Sequence, residues 1–189
     1  MSFPADFFNR LEHVAPADIE KTSFSIIERE LKEQNITLDE EFSSIIKRVI
    51  HTTADFEYAE TLKFSPGVLQ IIKEAILSGA DIVTDTNMAL SGINKKSIAR
   101  FGGEAHCFMA DDDVAFASKE SGLTRAACSV DKTARFFADG QGIPQRPIIF
   151  VCGNAPTALV RVRQLHDAEI FSPALVIGVP VGFVNVVAA

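Results

Sequence analysis

The stretch that decides the fold is residues 148–157, Ile-Ile-Phe-Val-Cys-Gly-Asn-Ala-Pro-Thr, where an apolar run leads directly into a glycine-containing turn. Residues 174–183 repeat this arrangement as Ala-Leu-Val-Ile-Gly-Val-Pro-Val-Gly-Phe. Short continuous apolar runs are typical of strands that are covered on both faces in a parallel sheet. Ligands of open α/β sheets bind beyond the carboxyl ends of such strands, where both turns are expected to lie. The two stretches therefore predict a sheet that binds a small molecule at the ends of its strands.

Helical and strand-like segments alternate from residue 64 onward, as in a parallel sheet covered by helices. Strands are predicted at residues 81–85, 105–109, 148–152 and 174–179, and helices at residues 64–77, 91–101, 111–120, 124–138 and 157–166. Two more helices, residues 23–34 and 42–50, follow an irregular lead of residues 1–20, and Ser25 with Glu28 is predicted to form a capping box. The predicted fold class is α/β, a three-layer α/β/α arrangement with a mainly parallel central sheet, in a single domain of residues 1–189.

Composition narrows the classes of partner. The chain has 189 residues, of which 47% are hydrophobic, and a net charge of −7. This charge repels nucleic acid and anionic membranes over most of the surface, so no nucleic-acid or membrane partner is expected. An anionic ligand remains compatible with the composition if basic residues gather in one pocket.

Several site classes lack their usual motifs. The three cysteines are widely spaced and form no CxxC pair, so no metal site is predicted and buried structural thiols are expected. The sequence contains no GxGxxG, P-loop or GxSxG motif. It also shows no secretory signal and no apolar run of about 18 residues, so a cytoplasmic location is the default expectation.

His51 is the first candidate catalytic residue. It ends an amphipathic helix, one turn after Arg48, and is followed by Thr52, Thr53 and Asp55. Imidazole donates or accepts a proton near neutral pH, which suits acid–base or hydrogen-bond catalysis. The alternative is a structural histidine that binds the free carbonyl groups at the helix end.

Polar residues after the predicted strands supply the other candidates. Asp85-Thr86-Asn87 follows an apolar strand and either contacts a ligand or caps the next helix. Residues 88–95 then add glycine for a close approach and Lys95 for an anion. The turn that begins at Gly153 opens a helix whose N–H groups are suited to a carboxylate or phosphate. Three arginines are further candidates for anion binding, Arg125, Arg161 and Arg163.

Four motifs occur in the order of a known family: residues 46–56, Ile-Lys-Arg-Val-Ile-His-Thr-Thr-Ala-Asp-Phe; residues 84–95, Thr-Asp-Thr-Asn-Met-Ala-Leu-Ser-Gly-Ile-Asn-Lys; residues 153–159, Gly-Asn-Ala-Pro-Thr-Ala-Leu; and residues 178–184, Gly-Val-Pro-Val-Gly-Phe-Val. With them the chain resembles the precorrin-8X methylmutases, or precorrin isomerases, of cobalamin biosynthesis. The similarity runs from about residue 23 to residue 187. The sequence after His51, Thr-Thr-Ala-Asp, is more similar to the cobalt-precorrin-8 branch, whose substrate already carries the metal.

The resemblance implies an isomerase that moves one methyl group from ring carbon eleven to ring carbon twelve of precorrin-8X or cobalt-precorrin-8. The shift is formally sigmatropic and needs no redox cofactor and no protein-bound metal. His51 is implied to protonate or hydrogen-bond a ring nitrogen near the migrating centre. The residues implied to bind the substrate carboxylates and line the pocket are Ser23, Arg48, Thr86, Lys95, Arg125, Gly153 and Gly182. The family also implies a homodimer.

The resemblance further implies a C-terminal segment with a Gly-Arg-Lys-Gly-Gly-Ser-Asn-like motif and a final helix, which this chain is expected to lack. Two alternative functions stay open at this stage. One is a tetrapyrrole-binding protein without catalysis, an alternative that the presence of the candidate catalytic residue His51 disfavours. The other is a flavodoxin-like protein that binds a nucleotide or flavin.

Overall fold

The computed structural model describes residues 15–138, 146–182 and 184. The chain divides into two compact units, one ending at Ser65 and the other beginning at Pro66. Each unit contains its own clusters of buried apolar side chains.

The first unit is helical. A 3₁₀ turn, Pro16–Asp18, leads into α1 (Ile19–Glu33), α2 (Ser43–Thr53) and α3 (Tyr58–Thr61). Ile27 and Leu31 of α1 are buried together with Ile46 and Ile50 of α2. All four lie at positions with the helical spacing of apolar residues in the sequence, and the two predicted helices are confirmed apart from their exact ends.

The predicted capping box is wrong. Helix α1 begins at Ile19, inside the segment predicted to be irregular, so Ser25 lies in the second turn. There its hydroxyl group donates to the carbonyl oxygen of Lys21 at 3.0 Å. The residues before Ser25 include no glycine or proline after Pro16, and nothing in them stops the helix from starting earlier.

The second unit contains a four-stranded sheet in which every described pairing is parallel. Its strands are β1 (Asp81–Thr84), β2 (Ala105–His106), β3 (Ile148–Cys152) and β4 (Leu175–Gly178), in the order β2-β1-β3-β4. The helices of this unit are α4 (Val68–Leu77), α5 (Asn87–Gly92), α6 (Lys95–Ala99), α7 (Asp112–Ser121), α8 (Arg125–Ala138) and α9 (Pro156–Asp167). The predicted α/β class with a parallel sheet is confirmed.

The sheet is covered on both faces. Val83 and Phe150, which are paired across β1 and β3, pack on one face with residues of α7, α8 and α9. Ile149 packs on the other face with Ala75 of α4. Successive strand residues point to opposite faces, so this alternation produces the predicted three layers.

Several predicted elements differ in extent. The helix predicted at residues 64–77 begins only at Val68, because Gly67 adopts a positive φ of 72° and Pro66 precedes it. The helix predicted at residues 91–101 is two helices, since Ile93 is extended and the Asn94 side chain caps α6 by accepting from the Ser97 N–H at 3.1 Å. The helix predicted at residues 124–138 is α8, which begins one residue later at Arg125.

The two outer strands of the described sheet also depart from expectation. Strand β2 has two residues instead of five, and the Thr84 hydroxyl group lies 3.3 Å from the carbonyl oxygen of its last residue, His106. Strand β4 was expected to be covered on both faces, but Val176 and Ile177 are exposed among the described residues. A continuous apolar run therefore does not distinguish a central strand from an edge strand here.

No helix within the described ranges is both long enough and apolar enough to cross a bilayer.

Candidate active site

His51 lies in the last turn of α2 and its imidazole is held by α1. The Ser23 hydroxyl group is 2.7 Å from His51 Nδ1. The Phe24 ring meets the imidazole edge to face, with 5.5 Å between ring centroids. Ser23 therefore fixes one ring nitrogen, and the hydrogen bonds within the described residues leave Nε2 without a partner.

The direction of this hydrogen bond bears on the proton of His51. Ser23 has no other hydrogen-bond acceptor among the described residues, whereas the nearby Ser25 hydroxyl group donates to a backbone carbonyl. When Ser23 donates to Nδ1, the proton of the neutral imidazole is on Nε2. In the imidazolium both nitrogens carry protons and Ser23 accepts. In both of these states Nε2 is a hydrogen-bond donor, whereas in the neutral tautomer protonated at Nδ1 the Ser23 hydroxyl group accepts and Nε2 is an acceptor.

Arg48 lies one turn before His51 and is already paired. Its Nη2 is 2.6 Å from Glu20 Oε1, and its guanidinium carbon is 5.0 Å from the centroid of the Phe24 ring. The hydrogen bond and charge of Arg48 lower the pKa of Glu20. Because both side chains are more than half exposed, this ion pair contributes little to stability and can be exchanged for another carboxylate.

The polar residues after His51 are occupied within their own turn. Thr52 and Thr53 donate to backbone carbonyl oxygens one turn earlier. The Asp55 carboxylate accepts from the N–H of Glu57 at 2.9 Å. None of the three contacts the imidazole among the hydrogen bonds described, so they shape the end of α2 instead.

A second group of residues lies at the carboxyl ends of β1 and β3. Asp85 is completely buried, and its carboxylate accepts from three consecutive N–H groups of Gly153, Asn154 and Ala155 at 3.0, 2.9 and 2.8 Å. Because Asp85 takes the Gly153 N–H, the predicted role of Gly153 in substrate binding does not depend on that donor. A ligand can still approach the Gly153 backbone closely, since a Cβ placed there would touch, within the part of the chain that the structure describes, only Ala89, at 3.9 Å.

Cys152 joins the same group of contacts. Its thiol lies 3.4 Å from Asp85 Oδ2 and 3.2 Å from the carbonyl oxygen of Ala155. Burial raises the pKa of the Cys152 thiol to about 12, and the negative charge of Asp85 adds to this effect. The thiol is protonated near neutral pH and does not act as a nucleophile.

Of the two roles considered for Asp85-Thr86-Asn87, the structure gives helix capping to Thr86. The Thr86 Oγ1 accepts from the Ala89 N–H at 3.2 Å and so begins α5. Its hydroxyl proton donates to no residue that the structure describes, so it remains able to contact a ligand. Asp85, considered from the sequence as a ligand contact or a cap for the helix that follows it, instead accepts from the loop after β3.

The basic candidates fall into two groups. Lys95 begins α6 and Arg125 begins α8; both are exposed and neither forms an ion pair with a described residue. Arg161 pairs with Asp131 at 2.7 Å and Arg163 pairs with Asp167 at 2.8 Å. The first two therefore offer charge to a ligand, and the last two use theirs within the protein.

Gly182 follows β4 in a turn with a φ of 130°, a conformation that favours glycine. Among the described residues, a Cβ at this position would meet no atom within 4 Å. Within that part of the chain the backbone angle, and not crowding, is the reason for glycine here.

Sequence reasoning missed Glu20, and it considered Asp85 as a ligand contact or helix cap but not as the residue that holds the loop after β3. Glu20 fell in the predicted irregular lead, and its partner Arg48 is 28 residues away. A charged residue at the end of an apolar strand was the available signal for Asp85. Among the described residues, no group of three or more His, Cys, Asp or Glu side chains is arranged to hold a metal ion.

Comparisons with known proteins agree on one family. The family model for precorrin-8X methylmutase matches residues 18–189. A cobalt-precorrin-8 methylmutase of Salmonella typhimurium is 42% identical over 175 residues, which cover 90% of this chain and 77% of that protein. A cobalt-precorrin-8 methylmutase of Priestia megaterium is 41% identical over 172 residues, covering 91% and 72% of the two chains. A precorrin-8X methylmutase of Pseudomonas aeruginosa is 32% identical over 167 residues, covering 88% and 75%.

A solved structure gives the same result. The crystal structure of precorrin-8x methyl mutase from Thermus thermophilus superposes with a TM-score of 0.72 at 34% identity, over 91% of this chain and 78% of that one. The four motifs, the parallel sheet and these relatives all lead to one conclusion: the chain belongs to the precorrin-8X methylmutase family.

Proposed function

We propose that this chain is the isomerase of cobalamin biosynthesis that moves a methyl group from ring carbon eleven to ring carbon twelve of cobalt-precorrin-8 or precorrin-8X. The observation that carries the proposal is the His51 imidazole, fixed at Nδ1 by Ser23 with Nε2 unpartnered among the described residues. The relatives of this chain named above are cobalt-precorrin-8 and precorrin-8X methylmutases.

In the proposed mechanism His51 donates a proton or hydrogen bond through Nε2 to a ring nitrogen near the migrating methyl group. This withdraws electron density from the conjugated ring, which weakens the bond that breaks at carbon eleven and favours the one that forms at carbon twelve. The product is an isomer, so electrons and atoms balance without a redox partner. The proton returns to His51 when the product leaves, which restores the catalyst.

The substrate carboxylates are proposed to bind at basic side chains. Lys95 and Arg125 support this role, since each is exposed without an ionic partner among the described residues. Arg48 is proposed to exchange Glu20 for a substrate carboxylate. Ser23 of the first unit, and Thr86, Gly153 and Gly182 of the second, are each proposed as substrate-binding residues.

The test is to mix the purified protein with cobalt-precorrin-8 or precorrin-8X and follow the visible spectrum, beside His51→Asn and His51→Ala. General acid catalysis contributes about 10²–10⁴-fold, so both variants should convert substrate slower by about that factor while still binding it. His166→Asn is the matched control, because that histidine contacts Ser172 and has no proposed role. Tight binding without conversion by the wild type would identify a corrinoid-binding protein instead, and unchanged turnover in both His51 variants would refute the mechanism.

We also propose a homodimer in the cytoplasm, by analogy with the family. Cys107, Cys128 and Cys152 are all free, which suits a reducing compartment. Sedimentation equilibrium and cell fractionation test the two parts separately.

A further inference from the structure

The Asp85 carboxylate fills an anion-binding site built from backbone. Three successive N–H groups, those of Gly153, Asn154 and Ala155, converge on it at 3.0 Å or less, and α9 begins directly afterwards at Pro156. Successive N–H groups that converge in this way form a concave site for an anion. In many proteins such a site binds a ligand. Here the anion is a side chain of the same unit.

The position of Asp85 in the sheet is the place where a ligand is expected. Strands β1 and β3 are neighbours, and from them the chain continues outward in opposite directions, to β2 on one side and β4 on the other. The crevice beyond the carboxyl ends of two such strands is the usual ligand site of an open α/β sheet. Asp85 follows the last residue of β1 and binds the loop that follows β3.

The hydrogen bonds continue from this loop to the turn after β4. The carbonyl oxygen of Cys152 accepts from the Val179 N–H at 2.9 Å, and the carbonyl oxygen of Asn154 accepts from the Val181 N–H at 3.1 Å. The Asp85 N–H donates to the carbonyl oxygen of Val151 at 3.0 Å. One buried carboxylate is thus connected through backbone groups to both glycine turns, at Gly153 and at Gly182.

We infer that Asp85 is a positioning residue that fixes the substrate-binding edge of the sheet, holding the loop 153–155 directly and the turn 179–182 through it. This inference rests on the proposed function, because Gly153 and Gly182 are substrate-binding residues only under that proposal. It also limits what this edge offers a substrate. The three N–H groups are taken and the buried charge is negative, so substrate carboxylates bind elsewhere, at lysine and arginine side chains.

Amide hydrogen exchange tests the positioning role without any substrate. The variants are Asp85→Asn, which keeps the shape of the side chain, and Asp85→Ala, which leaves room for formate. The matched control is Asp81→Asn, at the other end of β1, where a second buried aspartate accepts from the Glu104 N–H at 2.7 Å and pairs with Arg146. We expect the amides of residues 153–155 to exchange about tenfold faster or more in both Asp85 variants and at the wild-type rate in Asp81→Asn.

Rescue by formate distinguishes a carboxylate that positions the loop from a residue that only contributes to overall stability. Added formate should slow exchange at residues 153–155 in Asp85→Ala and restore its methyl transfer, with no such effect on Asp85→Asn or on the wild type. We expect kcat to fall in both Asp85 variants and to remain near the wild-type value in Asp81→Asn.

Protected amides at residues 153–155 in folded Asp85→Asn would overturn the inference, and this variant alone decides it if Asp85→Ala does not fold. Faster exchange with unchanged kcat and KM would also overturn it, since the order of the loop would then not matter to the reaction. A wild-type protein that converts no substrate refutes the proposed function, while the exchange and formate results still report on the loop.

Discussion

At the scale of single residues, the most informative contact is the one between Ser23 and His51. Sequence reasoning placed Ser23 on the substrate, whereas the structure places its hydroxyl group on the catalytic candidate itself, 2.7 Å from Nδ1. Removing that hydroxyl group leaves the imidazole free to change tautomer and to rotate. The hydrogen bond at one nitrogen of a functional histidine typically determines which nitrogen carries the proton.

We predict that Ser23→Ala lowers kcat about tenfold because the orientation of His51 is disturbed, while a change in KM would report on the substrate contact that is also proposed for Ser23. Ser23→Thr, which keeps a hydroxyl group, should recover most of the activity. Steady-state kinetics of both variants check this prediction. Ser25→Ala is the control on the same helix, since its hydroxyl group donates only to the Lys21 carbonyl oxygen; equal losses in Ser23→Ala and Ser25→Ala would contradict the assignment.

A second prediction concerns the pKa of Cys152, which the folded protein raises from 9.0 to about 12. A thiol whose pKa is raised on folding contributes its full stabilisation below the unfolded value and loses it as pH rises from about 9 towards about 12. The stability difference between wild type and Cys152→Ala should therefore be constant up to about pH 8. Above that it should change by up to about 1.4 kcal/mol per pH unit, to the disadvantage of the wild type. Urea unfolding of both proteins across this pH range measures the stability difference. A difference independent of pH would show that folding does not raise the pKa of this thiol.

At the scale of elements, the backbone of Gly103 lies very close to that of Ala80, the residue before β1. A Cβ at Gly103 would clash with the carbonyl oxygen of Ala80, the residue before β1. At Gly92, the last residue of α5, a Cβ would meet nothing within 4 Å. The same substitution should therefore have opposite effects at two glycines of the same unit.

We predict that Gly103→Ala destabilises the protein by about 1–3 kcal/mol, because backbone must move to admit the methyl group. Gly92→Ala should leave stability unchanged or raise it by up to about 1 kcal/mol, since alanine restricts the unfolded chain and favours helix. Thermal unfolding of the two variants beside the wild type makes the comparison. Similar effects of the two substitutions would show that the approach at Ala80 is not tight.

The elements also show how far sequence reasoning reached. Strand β3 and helix α9 were predicted nearly to the residue, because an apolar run and a proline at the first helical position are local signals. The break between α5 and α6 was not predicted, because it depends on the Asn94 side chain accepting from the Ser97 N–H and so capping α6. Burial of β4 was predicted wrongly, because neighbours in a sheet are not encoded in the strand itself. The candidate site followed the same rule. His51 was found from its helix, but Glu20 was not found and the partners of Asp85 were not predicted, because these contacts join residues that are distant in sequence.

At the scale of the whole molecule, the single domain predicted from the sequence remains a proposal beside the two compact units. The chain offers a natural probe for it, since it has one tyrosine and no tryptophan. Tyr58 lies in α3 of the first unit, whereas Phe150 is 1% exposed at the centre of the sheet in the second. Tyrosine fluorescence therefore reports on one unit, and far-UV circular dichroism reports on both.

We predict that Phe150→Ala costs about 3–5 kcal/mol, because a large buried ring leaves a cavity. If the chain unfolds as one domain, tyrosine fluorescence and circular dichroism should show the same shift in the urea midpoint. Phe116→Ala is the control, as this ring is 65% exposed on α7 and its loss should change stability by less than about 0.5 kcal/mol. A shift in circular dichroism alone would instead establish two independently unfolding domains.

The pairing of β1 with β3 sets the order of events while the chain is being synthesised. Asp85 and Cys152 are 67 residues apart, so β1 leaves the ribosome long before the strand and loop that bind it. Until then its apolar residues have no neighbour on that side, and the Asp85 carboxylate has only water as a partner. Contacts between residues so far apart in sequence form slowly and expose unpaired strand in the meantime. The pairing of β1 with β3 therefore makes the nascent protein depend on rapid synthesis of the residues between them. We expect the yield of folded protein in cells to fall when translation is slowed between β1 and α9.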